Sequence, residues 1–215
     1  MYANHLKRLL DLLLSLVALV VLSPVLLILT AVGAVAMRGN PFFVQPRPGR
    51  KDRSGRERVF HLIKFRTMSN KKDASGELLP DADRLGAYGR MLRKTSLDEL
   101  PELVNILVGD MAIVGPRPQL VRDMVFMTAE QRRRHEVRPG LTGLAQINGR
   151  NALGWEQRFA YDLEYVNHCT FFMDLKIIGM TLGKVLKRSG TLSGADQTVA
   201  DFDVYRREQN RNGEK

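Results

Sequence analysis

Apolar residues crowd into one block near the start of the chain. Across residues 12–37 no side chain is ionisable. As a helix rising about 1.5 Å per residue, that run exceeds the roughly 30 Å hydrocarbon core of a bilayer. It is too long for a signal-peptide core, and Ser23-Pro24-Val25 does not match a small-x-small cleavage site, so a retained membrane segment is expected. Ser23-Pro24 falls in mid-run. Pro24 lacks a backbone donor and crowds the carbonyl four residues back, which predicts a kink. The neighbouring Ser23 hydroxyl is placed to satisfy the freed carbonyl. Residues 12–22 and 25–37 are each too short to cross alone. Two geometries remain: a kinked single span, or a hairpin that enters and leaves by one face. Lys7 and Arg8 precede the block; Arg38, Arg47, Arg50, Lys51, Arg53, Arg56 and Arg58 follow it. Basic flanks favour the cytoplasm, and a hairpin satisfies that rule at both ends.

Beyond the block the periodicity shortens and mixes. Residues 41–58, rich in Pro, Gly and Arg, predict a loop. Residues 57–68 predict a strand with Lys64 and Arg66 on one face, Ile63 and Phe65 on the other. Residues 69–85 read as a polar loop and 86–94 as a helix. Residues 98–108 carry Leu100, Leu103, Val104 and Leu107 at helical spacing, an amphipathic helix with one buried stripe. A short strand at 111–114 precedes the turn Gly115-Pro116-Arg117-Pro118. Residues 119–137 predict a basic helix, 138–150 a glycine-punctuated loop and strand, and 155–168 a helix. Residues 171–187 predict a second amphipathic helix with Phe172, Leu175, Ile178, Leu182 and Leu186 on one face. Residues from 189 onward are polar and read as loosely held. The class is α+β.

Charge sharpens this picture. With 33 basic and 23 acidic residues the net charge is +10, which points to anionic partners: lipid headgroups, phosphorylated substrates or nucleic acid. One cysteine excludes a disulfide framework and fits a reducing compartment, and Cys169 reads as a small buried hydrophobe. The four histidines have no metal-ligand spacing, and the sequence holds no GxxxxGK[ST], HExxH, GxSxG or GxGxxG motif.

The stretch with chemical content is Arg93-Lys-Thr-Ser-Leu-Asp98-Glu99-Leu-Pro-Glu. Two adjacent carboxylates follow two cations at a helix start, because Pro101 is tolerated only in a first turn. One reading is structural: Ser96-x-x-Glu99 matches a capping box, and Asp98 is itself a good N-cap. The other is catalytic. A helix N-terminus suits a phosphate, paired carboxylates suit Mg²⁺, and one carboxylate can attack phosphorus while Arg93 steadies the charge. Lys64, Arg66, Arg117, Arg138 and Arg150 stand beside strands, glycines or prolines, positions that fix a cation against phosphate oxygens. Arg132, Arg133 and Arg134 read as a solvated face or a contact with anionic lipid.

Lys64-Phe-Arg-Thr-Met68, Thr95-Ser-Leu-Asp-Glu-Leu-Pro, Gly109-Asp-Met, Val114-Gly-Pro-Arg-Pro118, Arg138-Pro-Gly-Leu-Thr-Gly143 and Asn148-Gly-Arg150 occur in that order. Together with Lys7-Arg8 and Ser23-Pro24, they resemble the bacterial sugar transferase family, the monotopic phosphoglycosyl transferases, over residues 6–188. The extra helices and nucleotide-fold domain of larger members are not represented, so the chain is similar to the short type. The resemblance implies transfer of a sugar-1-phosphate from a UDP-sugar to a polyprenyl phosphate such as undecaprenyl phosphate, with release of UMP. This would be an opening step of glycan assembly on the cytoplasmic face of the bacterial inner membrane.

By the same resemblance Asp98 is the nucleophile, and Glu99 supports the metal site or proton transfer. Mg²⁺ bridges Asp98, Glu99 and the pyrophosphate. Lys64 and Arg93 lie near the phosphates, and Arg117, Arg150 and Asp162 are further polar positions around the site. Ser23-Pro24 matches the family's helix break, which favours the re-entrant hairpin. Residues 1–38 are then the membrane hairpin, 39–188 a small cytoplasmic catalytic domain of amphipathic helices with a few short strands, and 189–215 a polar tail. The partners implied are the UDP-sugar, the polyprenyl phosphate and membrane lipid, with no nucleic acid; assembly as a homo-oligomer is left open. A non-catalytic, membrane-tethered basic module binding anionic lipid or nucleic acid is the competing reading. A one-step transfer without a covalent intermediate is a third.

Overall fold

The computed structural model describes residues 2, 6–149, 152–186 and 201–213. Its first element is α1 (Lys7–Met37), 31 residues of uninterrupted helix with Pro24 inside it. Ser23-Pro24 therefore does not end the helix. The reason lies one turn earlier: Ser23 Oγ donates to the Val20 carbonyl at 2.8 Å, the carbonyl that the missing N–H of Pro24 would have bonded. α1 is the one helix among the described residues long and apolar enough to cross a bilayer. It also presents a stripe to the rest of the protein. Lys7, Asp11, Ser15, Leu29 and Gly33 are buried, and Ala18, Leu19, Leu22 and Leu26 pack against the core between them. The remaining faces, Leu13, Val17, Val20, Val21, Leu27, Ile28 and Val35 among them, are exposed.

The loop expected over residues 41–58 is replaced by a hairpin. β1 (Phe42–Lys51) pairs antiparallel with β2 (Glu57–Phe65), Phe42 opposite Phe65 and Arg47 opposite Phe60. Pro46 and Pro48 lie within β1. A two-stranded ribbon has an unpaired edge on each strand, and there a residue without an N–H is tolerated. Two short helices follow, α2 (Asp81–Arg84) and α3 (Ala87–Thr95). Gly89 lets α3 lie directly on the end of β2, since a Cβ there would overlap the Thr67 carbonyl.

After a 3₁₀ turn at Leu97–Glu99 comes α4 (Glu102–Val108). Its buried face holds Glu102, Leu103, Asn105 and Ile106; of the expected stripe Leu103 is buried and Leu100 packs against the core, while Val104 is exposed. Two polar residues occupy the inner face because each has a partner there. Asn105 accepts from the Ile63 N–H at 3.0 Å and donates to the His61 carbonyl at 2.8 Å, which stitches α4 across β2. Phe60, Leu62, Leu103, Ile106 and Met111 fill the core between them, closed from outside by α1.

β3 (Ala112–Val114) and β4 (Gly140–Thr142) form a second, parallel pair. The helix expected over 119–137 is two 3₁₀ segments, Val121–Phe126 and Gln131–Glu136. The basic run inside it is only partly a solvated face. Arg132 makes a two-nitrogen contact with Glu57 at 2.8 and 2.7 Å, Arg133 pairs with Glu130 and Glu136, and Arg134 is fully buried.

α5 (Leu144–Asn148), α6 (Trp155–Asn167) and α7 (Phe171–Leu186) complete the domain; Lys187 lies outside the described residues. On α7, Ile177 is buried, while Phe172, Leu175 and Leu182 are exposed. The chain after residue 188 is not loose throughout. α8 (Phe202–Gly213) packs Phe202 into a cluster with Met127, Trp155 and Phe159. Residues 189–200 and 214–215 of the expected tail lie outside the described residues.

Candidate active site

Asp98 and Glu99 sit in the 3₁₀ turn between α3 and α4. Ser96 bends the chain into it with φ 56° and ψ 19°, and its side chain makes no capping bond. The capping box of Ser96 and Glu99 does not form, because the Glu99 carboxylate is engaged elsewhere. Its Oε1 accepts from Lys64 Nζ at 3.2 Å and from the Arg117 guanidinium.

Both cations are delivered by backbone geometry. Lys64 shares its strand face with Phe60 and Leu62, both buried, so the period of two carries its ammonium inward, where it also lies 3.0 Å from Glu102 Oε1. Arg117 stands on the turn after β3. A Cβ at Gly115 would strike the Arg138 carbonyl and one at Gly140 the Gly115 nitrogen, so only glycines let these strand ends meet. Arg134, held by Asp162 at 2.9 and 2.7 Å, donates to the Arg117 carbonyl at 2.7 Å.

This arrangement separates two adjacent carboxyl groups. Burial pushes Glu99 up, but Arg117 and Lys64 outweigh it and hold the group at about 2. Asp98 moves the other way: burial raises it, and the neighbouring Glu99 charge raises it further against the pull of Lys64 and Arg117. Among the described residues no side chain forms a hydrogen bond or ion pair with the half-buried Asp98 carboxylate. One carboxylate is thus locked and anionic, and the other is free beside two fixed cations. That is an arrangement suited to attack on a phosphoanhydride. Burial raises Glu102, with Lys64 opposing it.

Arg47, across the hairpin, bonds the Pro118 carbonyl at 3.3 Å and Gln45 at 2.7 Å. Burial and the nearby Arg117 charge lower it to about 10. Neither Glu102 nor Arg47 was singled out from the sequence as a site residue. The alternation that places Lys64 beside Phe60 and Leu62 was the available signal for Glu102, since a cation on a buried face needs an anion opposite it.

Other expected site residues fall differently. Arg93 donates to Thr67 Oγ1 at 3.1 Å and contacts Met68 sulfur, next to β2 and not on the dyad. Asp162 is buried and acts through Arg134. Arg138 donates to the Gly109 carbonyl, and Arg8 to those of Ile106 and Leu107, so both serve the C-terminus of α4. Arg150 lies outside the described residues. Ser23 and Pro24 belong to α1.

Among the described residues no group of three His, Cys, Asp or Glu side chains gathers as a metal site. The free Asp98 carboxylate and its neighbour Glu99 fit a Mg²⁺ that takes one or two protein oxygens and fills its remaining positions from water and substrate phosphate.

Comparison with known proteins decides the family. The model of the family described as "Bacterial sugar transferase" matches residues 2–188. The chain belongs to the bacterial sugar transferase family. Other bacterial sugar transferases align over most of it. An uncharacterized sugar transferase EpsL of Bacillus subtilis is 48% identical over 86% of this chain and 89% of its own length. The exopolysaccharide production protein ExoY of Rhizobium meliloti is 36% identical over 86% and 87%. The UDP-glucose:undecaprenyl-phosphate glucose-1-phosphate transferase of Klebsiella pneumoniae is 36% identical over 83% of this chain, which spans 39% of that protein. In this bacterial sugar transferase the matched region takes in Lys64, Asp98, Glu99, Glu102 and Arg117 and ends before α8.

Proposed function

We propose that the protein transfers a sugar-1-phosphate from a UDP-sugar to a polyprenyl phosphate, releasing UMP, through a phosphosugar carried on Asp98. The observation that carries this reading is the unpartnered Asp98 carboxylate beside a Glu99 locked by Lys64 and Arg117. In the first step an Asp98 oxygen forms a bond to the phosphorus nearest the sugar. The anhydride bond breaks, and its electron pair leaves on UMP. In the second step an oxygen of the polyprenyl phosphate bonds to the same phosphorus and the aspartyl–phosphorus bond breaks, returning Asp98 as a carboxylate. Lys64 and Arg117, preorganised by Glu99, stabilise charge on the phosphoryl oxygens. Mg²⁺, held by Asp98 and Glu99, would supply further neutralisation of the pyrophosphate. The names of relatives support the substrate class: the Klebsiella protein is named for UDP-glucose and undecaprenyl phosphate, and one from Komagataeibacter xylinus is an undecaprenyl-phosphate glucose phosphotransferase.

A one-face membrane geometry is supported by where α1 docks. Its N-terminal end is fixed by Lys7 to Asp174 at 2.7 Å and by the Ile113 N–H to Asp11 at 3.0 Å. Near its C-terminal end Tyr88 donates to the Leu29 carbonyl at 2.8 Å, and Leu29 packs with Phe65 and Leu92. Both halves rest on the same domain. A helix crossing the bilayer would carry one end away from it; this docking supports both ends on one face, and their basic residues favour the cytoplasmic one. Tyr2 packs ring to ring on Phe171 of α7 at 6.0 Å, and both α1 and α7 carry exposed apolar side chains. Together they sink the protein into one leaflet of the bacterial inner membrane, level with a lipid phosphate. Against the basic-module reading, Arg8, Arg134 and Arg138 are committed to internal partners.

The test is intact-mass analysis after incubation with a panel of UDP-sugars and Mg²⁺. A sugar-phosphate adduct on Asp98, discharged by undecaprenyl phosphate, is expected. UMP release without any adduct, and with sequential kinetics, would point to one-step transfer and overturn the covalent route.

A further inference from the structure

α8 lies beyond the family match, which ends at residue 188, yet it is built into the fold. Phe202 is 1% exposed, and its ring stands 5.1 Å from both Trp155 and Phe159 on α6. Arg206 pairs with Glu156 of the same helix at 3.0 Å. On its other side α8 grips the 3₁₀ segment Val121–Phe126. Arg122 pairs with Asp201 and, at 3.6 Å, with Asp203, and Arg207 lies 5.5 Å over the Phe126 ring.

Both gripped elements lead to Arg117. The 3₁₀ segment begins three residues after Pro118. Such short segments have poor internal hydrogen bonds and take their rigidity from what packs on them. On α6, Phe159 faces the Arg134 guanidinium at 5.6 Å, Asp162 holds that guanidinium, and Arg134 in turn holds the Arg117 carbonyl at 2.7 Å. Among the described residues α8 makes no hydrogen bond or ion pair with Lys64, Asp98 or Glu99, so its influence on the site runs through these two elements.

We propose that α8 is a positioning element for Arg117. Docked through Phe202 and the Arg122 ion pairs, it clamps the 3₁₀ segment against α6 and so fixes the guanidinium that meets the donor's diphosphate. This rests on the reading of Arg117 as a phosphate ligand. The helix touches no substrate, and it adds to the shared catalytic unit a device that the matched region does not contain.

The test compares full-length wild type, Phe202→Ala, Phe202→Leu and the double variant Asp201→Asn/Asp203→Asn in lipid nanodiscs. Two readouts are taken: hydrogen–deuterium exchange over residues 116–127, and the KM and kcat for UDP-sugar in UMP release. Faster exchange in that segment is expected for Phe202→Ala and for the Asn pair, with partial recovery in Phe202→Leu. Donor KM should rise on the order of tenfold in Phe202→Ala, while kcat at saturation changes less. The KM for polyprenyl phosphate reports general damage and should stay within about twofold. Unchanged exchange and unchanged donor KM in both Phe202→Ala and the Asn pair overturn the proposal. So does a loss of kcat with all KM values intact and exchange rising across the whole domain, which marks a brace without a positioning role. A wild-type enzyme inert toward every UDP-sugar sinks the assigned reaction, and the exchange data then decide on the clamp alone.

Discussion

The ammonium of Lys64 lies 3.0 Å from the carboxylate of Glu102, a side chain 1% exposed. The pair sits directly behind Glu99, which the same ammonium reaches at 3.2 Å. Lys64 thus serves a buried carboxylate and an active-site carboxylate together, and the two roles separate by mutation. Lys64→Met leaves Glu102 buried without its ion-pair partner, with only the longer-range charge of Arg117 nearby. The expected loss is about 2 kcal/mol, below the usual cost of breaking a buried pair because Glu102 can take up a proton. For a domain of this size that lowers the melting temperature by roughly 4–8 °C. Glu102→Gln leaves Lys64 paired with Glu99 and should cost less than half as much. Equal melting temperatures for the two variants in detergent would show that the pair is not what holds α4 to β2.

The two neighbouring carboxyl groups predict the pH profile. Asp98 must be ionised to attack, and its pKa stands above the ordinary 3.8 through burial and the Glu99 charge. The rate of adduct formation therefore falls, as pH is lowered, at a pH above the usual aspartate range. Glu99→Gln removes the neighbouring anion and leaves Lys64 and Arg117 in place, so the acid limb should move to lower pH even as the maximal rate drops. Stability runs separately. Glu99 has a folded value of about 2 against an ordinary 4.5, so it contributes fully above 4.5 and its contribution is lost as pH falls toward 2. Single-turnover quench experiments between pH 4 and 8 read the limb directly. An acid limb that stays put in Glu99→Gln would dismiss the electrostatic coupling.

A third prediction concerns the docking of α1. Asp174 accepts from Lys7 at 2.7 Å and from the Tyr165 hydroxyl at 2.7 Å, and it is buried. Asp174→Asn keeps the shape and removes the charge, leaving Lys7 with Asp11, at 3.8 Å, as its remaining ion-pair partner. The N-terminal turns of α1 should loosen, and a cysteine introduced at Leu9 in a background lacking Cys169 should react faster with a water-soluble maleimide. Asp174→Glu should recover most of the protection. Identical labelling in all three proteins would mean that the apolar stripe alone seats the helix.

Much of this architecture is legible in the chain because local pattern and tertiary need coincide. The apolar run gives α1, the apolar-rich run with Lys64 set between Ile63 and Phe65 gives β2, and Pro101 dates the start of α4. The misses occur where partners are non-local. Pro46 and Pro48 argue against a strand until the ribbon leaves them an edge. Arg134 reads as solvated until Asp162 closes on it from 28 residues away. Phe202, an aromatic in a polar stretch, gives no sign of the Trp155–Phe159 cluster that buries it. The Asp98-Glu99 pair was legible as chemistry, but which carboxylate is free depends on Lys64 and Arg117, brought in from β2 and from the turn after β3.

The last prediction is a coupling inside α1. Ser23 Oγ donates to the Val20 carbonyl at 2.8 Å, the carbonyl that Pro24 leaves without its backbone donor. With Ala at position 24 a backbone N–H returns and the hydroxyl becomes redundant. Ser23→Ala should therefore destabilise the protein by about 1 kcal/mol when Pro24 is present, the usual worth of one hydrogen bond in place of an unmet carbonyl. It should be close to neutral in a Pro24→Ala background. The double-mutant cycle, measured by thermal unfolding in lipid-like detergent, isolates the coupling from any change of helix shape. Additive effects of Ser23→Ala and Pro24→Ala would mean that lipid-facing water satisfies Val20. The hydroxyl would then be incidental to how this helix carries a proline without breaking.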